Sequence, residues 1–222
     1  MKLAALFSGG KDSTLAIILA KKYRHTISCL ISLQSENPDS FMFHTPSISQ
    51  VEKQAERMNI PIIIQSTKGS KERELKDLEK AILKAKKQCK IKGILTGAVE
   101  SVYQSSRIQR ICNKHKLEVF NPLWQKDQIE LLQELQKNKI QAIITGVAAL
   151  PLDASWLGRV IDISFIKDAR LLQETYKISP AGEGGEFESL VLDCPLFSKP
   201  LIVMDKKITG EGNAYRMDVI LQ

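Results

Sequence analysis

The chain has 222 residues, enough to bury a good core in one large α/β domain or in a core domain with a small appendage. Hydrophobic and charged fractions of 43% and 26% are ordinary for a soluble globular protein. No apolar run reaches the roughly 18 residues of a membrane span, so no membrane partner is predicted. The formal charge of +7 suits polyanionic partners but does not identify one.

The first 150 residues alternate between short apolar runs and amphipathic segments. Strands are predicted at 3–7, 26–33, 61–65, 93–96 and 141–147, with a short extended segment at 118–120. Helices are predicted at 12–22, 47–58, 71–87, 105–115 and 128–137. This alternation predicts an α/β domain over residues 1–150, with a Rossmann-like parallel sheet of about five strands and helices on both faces.

The pattern changes after Pro151. A helix predicted at 167–177 leads into an acidic, glycine-rich segment, and strand-like runs follow at 190–192, 201–204 and 215–221. Short runs of this kind indicate a small antiparallel unit. We therefore assign residues 151–222 to a smaller C-terminal α+β subdomain that binds the substrate.

The cysteines and the first residues indicate the compartment. The four cysteines lie far apart and form no Cys-x-x-Cys pair, so neither a zinc cluster nor a redox pair is predicted. The first apolar run is too short for the core of a signal peptide. We expect reduced, mostly structural thiols in a cytoplasmic protein.

A glycine loop follows the first strand and opens the first helix, with the sequence Ser8-Gly9-Gly10-Lys11-Asp12-Ser13. Gly9 and Gly10 allow a polyphosphate to approach backbone N–H groups, and the helix adds its positive end. Lys11 adds a point charge and the two serines add hydroxyl donors. Asp12 could cap the helix or help to hold Mg²⁺.

The loop differs from the Walker pattern Gly-x-x-x-x-Gly-Lys-[Ser/Thr], because Gly9 and Gly10 are adjacent and Asp12 follows Lys11. Transfer of a γ-phosphate is therefore not predicted. The residues resemble the fingerprint of the PP-loop ATP pyrophosphatases, which implies cleavage of ATP between its α- and β-phosphates. The alternative is a strand-to-helix turn that uses its glycines only for geometry.

A second cluster follows the strand predicted at 93–96, at the sheet edge where open α/β sheets bind ligands. It supplies five candidate nucleotide contacts: Gly97, Ala98, Tyr103, Gln104 and Arg107. The glycine admits a close approach, the tyrosine and glutamine offer ring and amide contacts, and the arginine could reach a phosphate. The alternative is a helix N-terminus with a solvated arginine.

An acidic glycine loop spans 182–189 and holds three candidate catalytic carboxylates: Glu183, Glu186 and Glu188. Three glycines among eight residues disfavour a regular helix and supply no side chains to a core. Clustered carboxylates can bind Mg²⁺, hold an ammonium or quaternary ammonium group, or act as a general base. The alternative is a flexible acidic turn.

Two further features are weaker candidates for a role. His44 follows the second predicted strand and is a candidate nucleotide contact, although a lone histidine is usually structural. The lysine-rich run at 68–92 is interleaved with acidic residues, which favours a solvated helix face over a docking surface.

Taken together, these clusters and Pro122-Leu123-Trp124 resemble the diphthine-ammonia ligase family of the PP-loop (HUP-type, adenine nucleotide α-hydrolase) superfamily, over nearly the whole chain. The resemblance implies ATP-dependent amidation of diphthine on translation elongation factor 2 with ammonium, through an acyl-adenylate, releasing AMP and pyrophosphate. It implies ATP and Mg²⁺ as cofactors, requires no nucleic acid partner, and leaves a homo-oligomer open.

Roles for the motifs follow from the same resemblance. The loop at 8–13 would hold the triphosphate, with Lys11 also catalytic, and the segment 97–107 would hold adenosine and phosphate. The loop at 183–188 would face diphthine, whose trimethylammonium group acidic side chains attract. Two rivals remain, namely another PP-loop enzyme such as a tRNA-modifying ligase, and a non-catalytic ATP-binding or ATP-sensing protein.

Overall fold

The computed structural model describes residues 1–35, 48–67 and 71–222. These residues form two compact units. The first comprises Met1–Ser8 and Asp12–Trp124, and the second comprises Gly9–Lys11 and Gln125–Gln222. Within the described ranges, no helix is both long enough and apolar enough to cross a membrane.

The first unit is built on a parallel sheet. Its five strands are β1 (Lys2–Leu6), β2 (Thr26–Ser35), β3 (Ile62–Thr67), β4 (Gly93–Leu95) and β5 (Glu118–Phe120). They lie in the order β3-β2-β1-β4-β5, with every neighbouring pair parallel. The central strand β1 buries Leu3, Ala4 and Ala5 completely, as expected for a strand in a sheet covered on both faces.

Helices follow the first four of these strands. They are α1 (Lys11–Lys22), α2 (Ile48–Met58), α3 (Lys71–Cys89) and α4 (Val102–Lys114). Helix α3 buries Leu78, Ala81, Ile82 and Ala85, whose spacing of three and four places them on one helix face against the core. Helix α4 begins three residues before its predicted start, because the Ser101 hydroxyl accepts a hydrogen bond from the Gln104 N–H at 3.3 Å and caps it.

The second unit is built on an antiparallel sheet. Its elements are α5 (Gln128–Lys137), β6 (Gln141–Val147), a short 3₁₀ helix (Ala154–Trp156), α6 (Ile163–Tyr176), β7 (Phe187–Asp193), β8 (Val203–Glu211) and β9 (Ala214–Leu221). The strands lie in the order β7-β6-β9-β8. The small antiparallel unit predicted at the C-terminus is therefore present, and it is larger than the sequence indicates.

The α/β fold class is confirmed, but strand β6 belongs to a different sheet from the one predicted. It pairs antiparallel with β7 and β9, whereas the short β5 supplies the fifth parallel strand. The sequence places a boundary at residue 150, and the units of the structure divide at Trp124 and Gln125 instead. An apolar run such as 141–147 predicts a buried strand without indicating which sheet it joins.

Candidate functional site

The first-unit part of the glycine loop packs against the start of the second cluster. The Ser8 and Ser13 hydroxyl oxygens lie 3.3 Å apart. A Cβ atom placed on Gly97 would come within 2.9 Å of the carbonyl of Asp12 and the nitrogen of Ser13. Only glycine fits at this position, so residue 97 packs against the loop, and its contact with a nucleotide stays a prediction.

The remaining loop residues, Gly9–Lys11, are held by strand β7. The Gly9 carbonyl accepts a hydrogen bond from the Val191 N–H at 3.1 Å, and the Lys11 N–H donates to the Ser189 hydroxyl at 3.2 Å. Gly9 has a φ of 80°, a conformation that glycine adopts without strain. The strand that follows the acidic loop therefore contacts the centre of the glycine loop directly.

The Lys11 side chain is buried, with 4% of its surface exposed. Its ammonium nitrogen lies 5.5 Å from the centroid of the Phe187 ring, within the range of a cation–π contact. A buried cation beside backbone N–H groups at a helix start suits an anionic ligand. The loop thus fits a polyphosphate.

Glu186 organises the acidic loop. Only 9% of its surface is exposed, and its two carboxylate oxygens accept hydrogen bonds from the Ser179 and Gly184 N–H groups, each at 2.8 Å. A Cβ on Gly184 would lie 2.6 Å from a Glu186 oxygen. The part of the acidic loop before β7, residues 182–186, is therefore a defined turn closed around this carboxylate.

Glu183 and Glu188 are only partly buried. Glu188 pairs with Gly146 of strand β6, and a Cβ at that glycine would lie 3.3 Å from a Glu188 carboxylate oxygen. Both residues keep part of their surface in solvent. They are therefore more accessible to a substrate than Glu186 is.

Tyr103 and Arg107 form one stacked pair on helix α4. The Arg107 guanidinium carbon lies 3.3 Å from the centroid of the Tyr103 ring, and the guanidinium donates to the Tyr103 carbonyl at 3.2 Å. The arginine is thus oriented by the tyrosine.

Two other candidate nucleotide contacts lie nearby in the sequence. Gln104 is partly buried on the same turn as Tyr103, and the Ala98 N–H donates to the Thr96 hydroxyl at 3.2 Å.

His44 lies outside the described residues, so its nucleotide contact stays a prediction. Within the described ranges, no three His, Cys, Asp or Glu side chains converge as a metal site. Mg²⁺ in nucleotide sites is commonly held by one or two carboxylates together with substrate phosphates. The single carboxylate of Asp12 beside the loop fits that kind of ion.

Sequence patterns assign no role to two further residues, Ser189 and Asn121. Ser189 received no role, although two-residue spacing places it on the same face of β7 as Phe187. Asn121 follows β5, and among the described residues its amide nitrogen and oxygen are both buried without a hydrogen-bond partner. An unsatisfied buried amide costs about 1–3 kcal/mol, which a ligand or water could recover.

Two family models match the chain. The diphthamide synthase N-terminal domain matches residues 1–119, and the diphthamide synthase C-terminal domain matches residues 127–218. Both the acidic loop and the glycine loop fall inside these matches.

Curated relatives are similar over most of the chain. A Bos taurus protein named diphthine–ammonia ligase is 34% identical, covering 97% of this chain and 88% of its own length. The Homo sapiens protein of that name is 33% identical, covering 94% and 85%. A Schizosaccharomyces pombe protein of the same name is 32% identical, covering 96% of this chain and 38% of its own length.

Solved structures include a Methanocaldococcus jannaschii chain described as a predicted subunit of tRNA methyltransferase. It is 17% identical, with a TM-score of 0.41, and the match covers 90% of this chain and 99% of that one. The two family models together span both units, and the relatives match nearly the whole chain. The chain belongs to the diphthamide synthase family.

Proposed function

We propose that this protein is an ATP-dependent diphthine–ammonia ligase, which amidates the diphthine carboxylate of translation elongation factor 2 and releases AMP and pyrophosphate. Its relatives carry that enzyme name. The observation that carries the proposal is strand β7, which leaves the acidic loop at Phe187 and holds Gly9–Lys11 through Ser189 and Val191. One strand thus connects the acceptor loop with the phosphate loop.

The glycine loop holds the triphosphate in this proposal. The Gly9 and Gly10 N–H groups and the Lys11 ammonium bind phosphate oxygens, and the Ser8 and Ser13 hydroxyls donate further hydrogen bonds. These groups stabilise the charge that develops on pyrophosphate as the α–β bond breaks. Asp12 would hold Mg²⁺, which supplies further charge neutralisation on the phosphates.

The second cluster holds the rest of the nucleotide. Gly97 and Ala98 let backbone atoms approach adenosine, and Gln104 offers an amide contact. Arg107, oriented by Tyr103, turns toward the α-phosphate, where negative charge grows during attack. His44 completes the set of proposed nucleotide contacts.

The acidic loop receives diphthine. Glu183 and Glu188, which are partly exposed, attract its trimethylammonium group, and one of them takes the proton that ammonia loses as it attacks. Glu186 supports them by holding the loop in shape. Catalysis by Glu186 is therefore indirect in this proposal.

The chemistry has two steps. The diphthine carboxylate attacks the α-phosphorus, an acyl–oxygen–phosphorus bond forms, and pyrophosphate leaves. Ammonia then attacks the acyl carbon, its extra proton passes to a glutamate, and AMP leaves with the bonding oxygen. Catalysis relies mainly on proximity, with a diphthine carboxylate oxygen held about 3–3.5 Å from the α-phosphorus of ATP.

The test is a reaction with purified protein, Mg²⁺, ATP, ammonium and elongation factor 2 that carries diphthine. We expect AMP and pyrophosphate in step with amide formation, and neither product with Lys11→Ala. Release of ADP would overturn the proposal, and ATP binding without turnover would indicate the non-catalytic alternative. The proposal includes a cytoplasmic location and leaves homo-oligomers open.

A further inference from the structure

One end of the first unit carries a dense group of exposed cations. It is the end where the parallel strands begin and α1, α3 and α4 finish, and we call it the amino-edge face. Its exposed cations are Lys2, Lys21, Lys22, Arg24, Lys86, Lys87, Lys90, Lys92, Lys114 and Lys116.

Hydrogen bonds show that these residues are neighbours. The Lys92 N–H donates to the Lys2 carbonyl at 2.8 Å, and the Glu118 N–H donates to the Lys92 carbonyl at 3.0 Å. The Lys86 ammonium donates to the His115 carbonyl at 2.7 Å, which joins the ends of α3 and α4. The Thr26 N–H donates to the Met1 carbonyl at 2.9 Å, which brings the segment after α1 to the same edge. The cations are therefore carried by neighbouring strand starts and helix ends.

Among the described residues, the cations of the amino-edge face outnumber the carboxylates at the same end. Residues 1–124 contain 21 Lys and Arg against 11 Asp and Glu, whereas residues 125–222 contain 11 against 14. The acidic residues described at this end include Glu79, which is bonded to Lys114 and His115, the exposed Glu56 in the last turn of α2, and Glu118 at the start of β5. The whole positive excess of the protein thus comes from its first 124 residues.

Helix dipoles account for only part of this arrangement. They favour cations in the last turn of a helix, where Lys21, Lys86 and Lys114 lie. Lys90 and Lys116 lie beyond the helix ends with φ of 51° and 53°, in a conformation that glycine or asparagine adopts with less strain. A cation at these two positions is not needed to end the helix.

An exposed aromatic ring lies among the cations. Tyr23 follows Lys21 and Lys22 and has 67% of its surface exposed. Its ring contacts Phe120 edge-on, with centroids 5.7 Å apart, and the His25 ring contacts the same phenylalanine at 4.6 Å. Acidic protein partners need only cations, whereas an exposed ring among cations suits a nucleobase.

We propose that the amino-edge face binds single-stranded nucleic acid, with phosphates on its lysines and one base stacked on Tyr23. RNA and DNA share this chemistry. The proposal is independent of the ligase activity, because it uses no residue of the glycine loop or the acidic loop.

The charge test measures fluorescence anisotropy of labelled uridine and thymidine oligonucleotides, about 12 nucleotides long, over a range of salt concentrations. Lys90→Asn with Lys116→Asn should reduce the slope of log K against log salt by about 1.4, since each lost phosphate contact contributes about 0.7. The matched control is Lys139→Asn with Lys177→Asn, two exposed lysines of the second unit that also have positive φ. Tighter binding of uridine than of thymidine would identify RNA as the ligand, and the reverse would identify DNA.

The ring test uses Tyr23→Ala, which should weaken binding about tenfold by removing one stacked base, while Tyr23→Phe keeps wild-type affinity. Tyr176→Ala is the control, because that tyrosine is 55% exposed in the second unit. Three outcomes would each overturn the proposal. The two double lysine variants could show the same salt slope, Tyr23→Ala could bind as tightly as the wild type, or poly-glutamate could displace the oligonucleotide at the same concentration of negative charge. Thermal unfolding of every variant checks that losses do not come from misfolding.

Discussion

The Ser189 hydroxyl accepts a hydrogen bond from the N–H of Lys11 in the glycine loop, 178 residues earlier in the chain. Ser189→Ala leaves the Lys11 N–H without this acceptor and costs about 1 kcal/mol of loop order. We expect KM for ATP to rise about fivefold with a smaller change in kcat, and Ser189→Thr to restore KM.

The control for that prediction is Ser198→Ala, at an exposed serine in the same unit. Steady-state kinetics and a direct ATP-binding measurement should agree. A wild-type KM for Ser189→Ala would show that the hydrogen bond does not order the loop.

The close packing of Gly97 against the glycine loop leads to a second prediction at the residue scale. An added Cβ would collide with backbone atoms of Asp12 and Ser13 at 2.9 Å, and backbone cannot move aside as a flexible side chain can. We expect Gly97→Ala to weaken ATP binding by at least about tenfold, measured by calorimetry, through a shift of about 1.4 kcal/mol. Gly212→Asn, in a turn with open space around it, should bind ATP normally.

At the scale of elements, helices α3 and α4 are joined by Glu79. Hydrogen bonds from Lys114 and then from His115 lower the pKa of Glu79 below its usual 4.5. A lowered carboxyl pKa stabilises the fold above the unfolded-state value, and the contribution is lost as the pH falls through the folded value.

Glu79→Gln should therefore lower the free energy of unfolding at pH 7, by at most about 1 kcal/mol because the pair is partly solvated. Urea titrations of both proteins should converge as the pH falls through the lowered pKa of Glu79. A constant difference between pH 7 and pH 3 would contradict the assigned cause. Glu130→Gln is the control, at an exposed glutamate of helix α5.

Element bounds depend on local pattern, and several were predicted closely for that reason. The bounds of β5, α5 and β6 are those expected from the sequence. The start of α4 was placed late, because apolar periodicity marks the buried turns and the Ser101 cap lies before them. The sheet that β6 joins depends on pairing with β7, more than 40 residues later, which periodicity does not encode.

At the scale of the whole molecule, ATP binding should be visible as stabilisation. A ligand that binds only the folded state, at about 100 times its Kd, adds about 2.7 kcal/mol. We expect Mg²⁺-ATP to raise the Tm of the wild-type protein. The Tm of Lys11→Ala should stay nearly the same with and without Mg²⁺-ATP, as measured by calorimetry. A similar shift in both would mean that the buried lysine does not contact the nucleotide.

The sequence alone identified the glycine loop, the acidic loop and the family, because each is written in consecutive residues whose chemistry is local. It also predicted that Gly97 lies at the ligand-binding edge of the sheet, because it follows the carboxyl end of a parallel strand. Folding alone decided which carboxylate closes the acidic loop, which serine reaches Lys11, and which lysines meet at the amino edge. Glu186 bonds N–H groups two and seven residues away, a local contact that depends on the conformation of the turn. The serine and the lysines are brought to their neighbours from far along the chain, and no spacing in the sequence records that proximity.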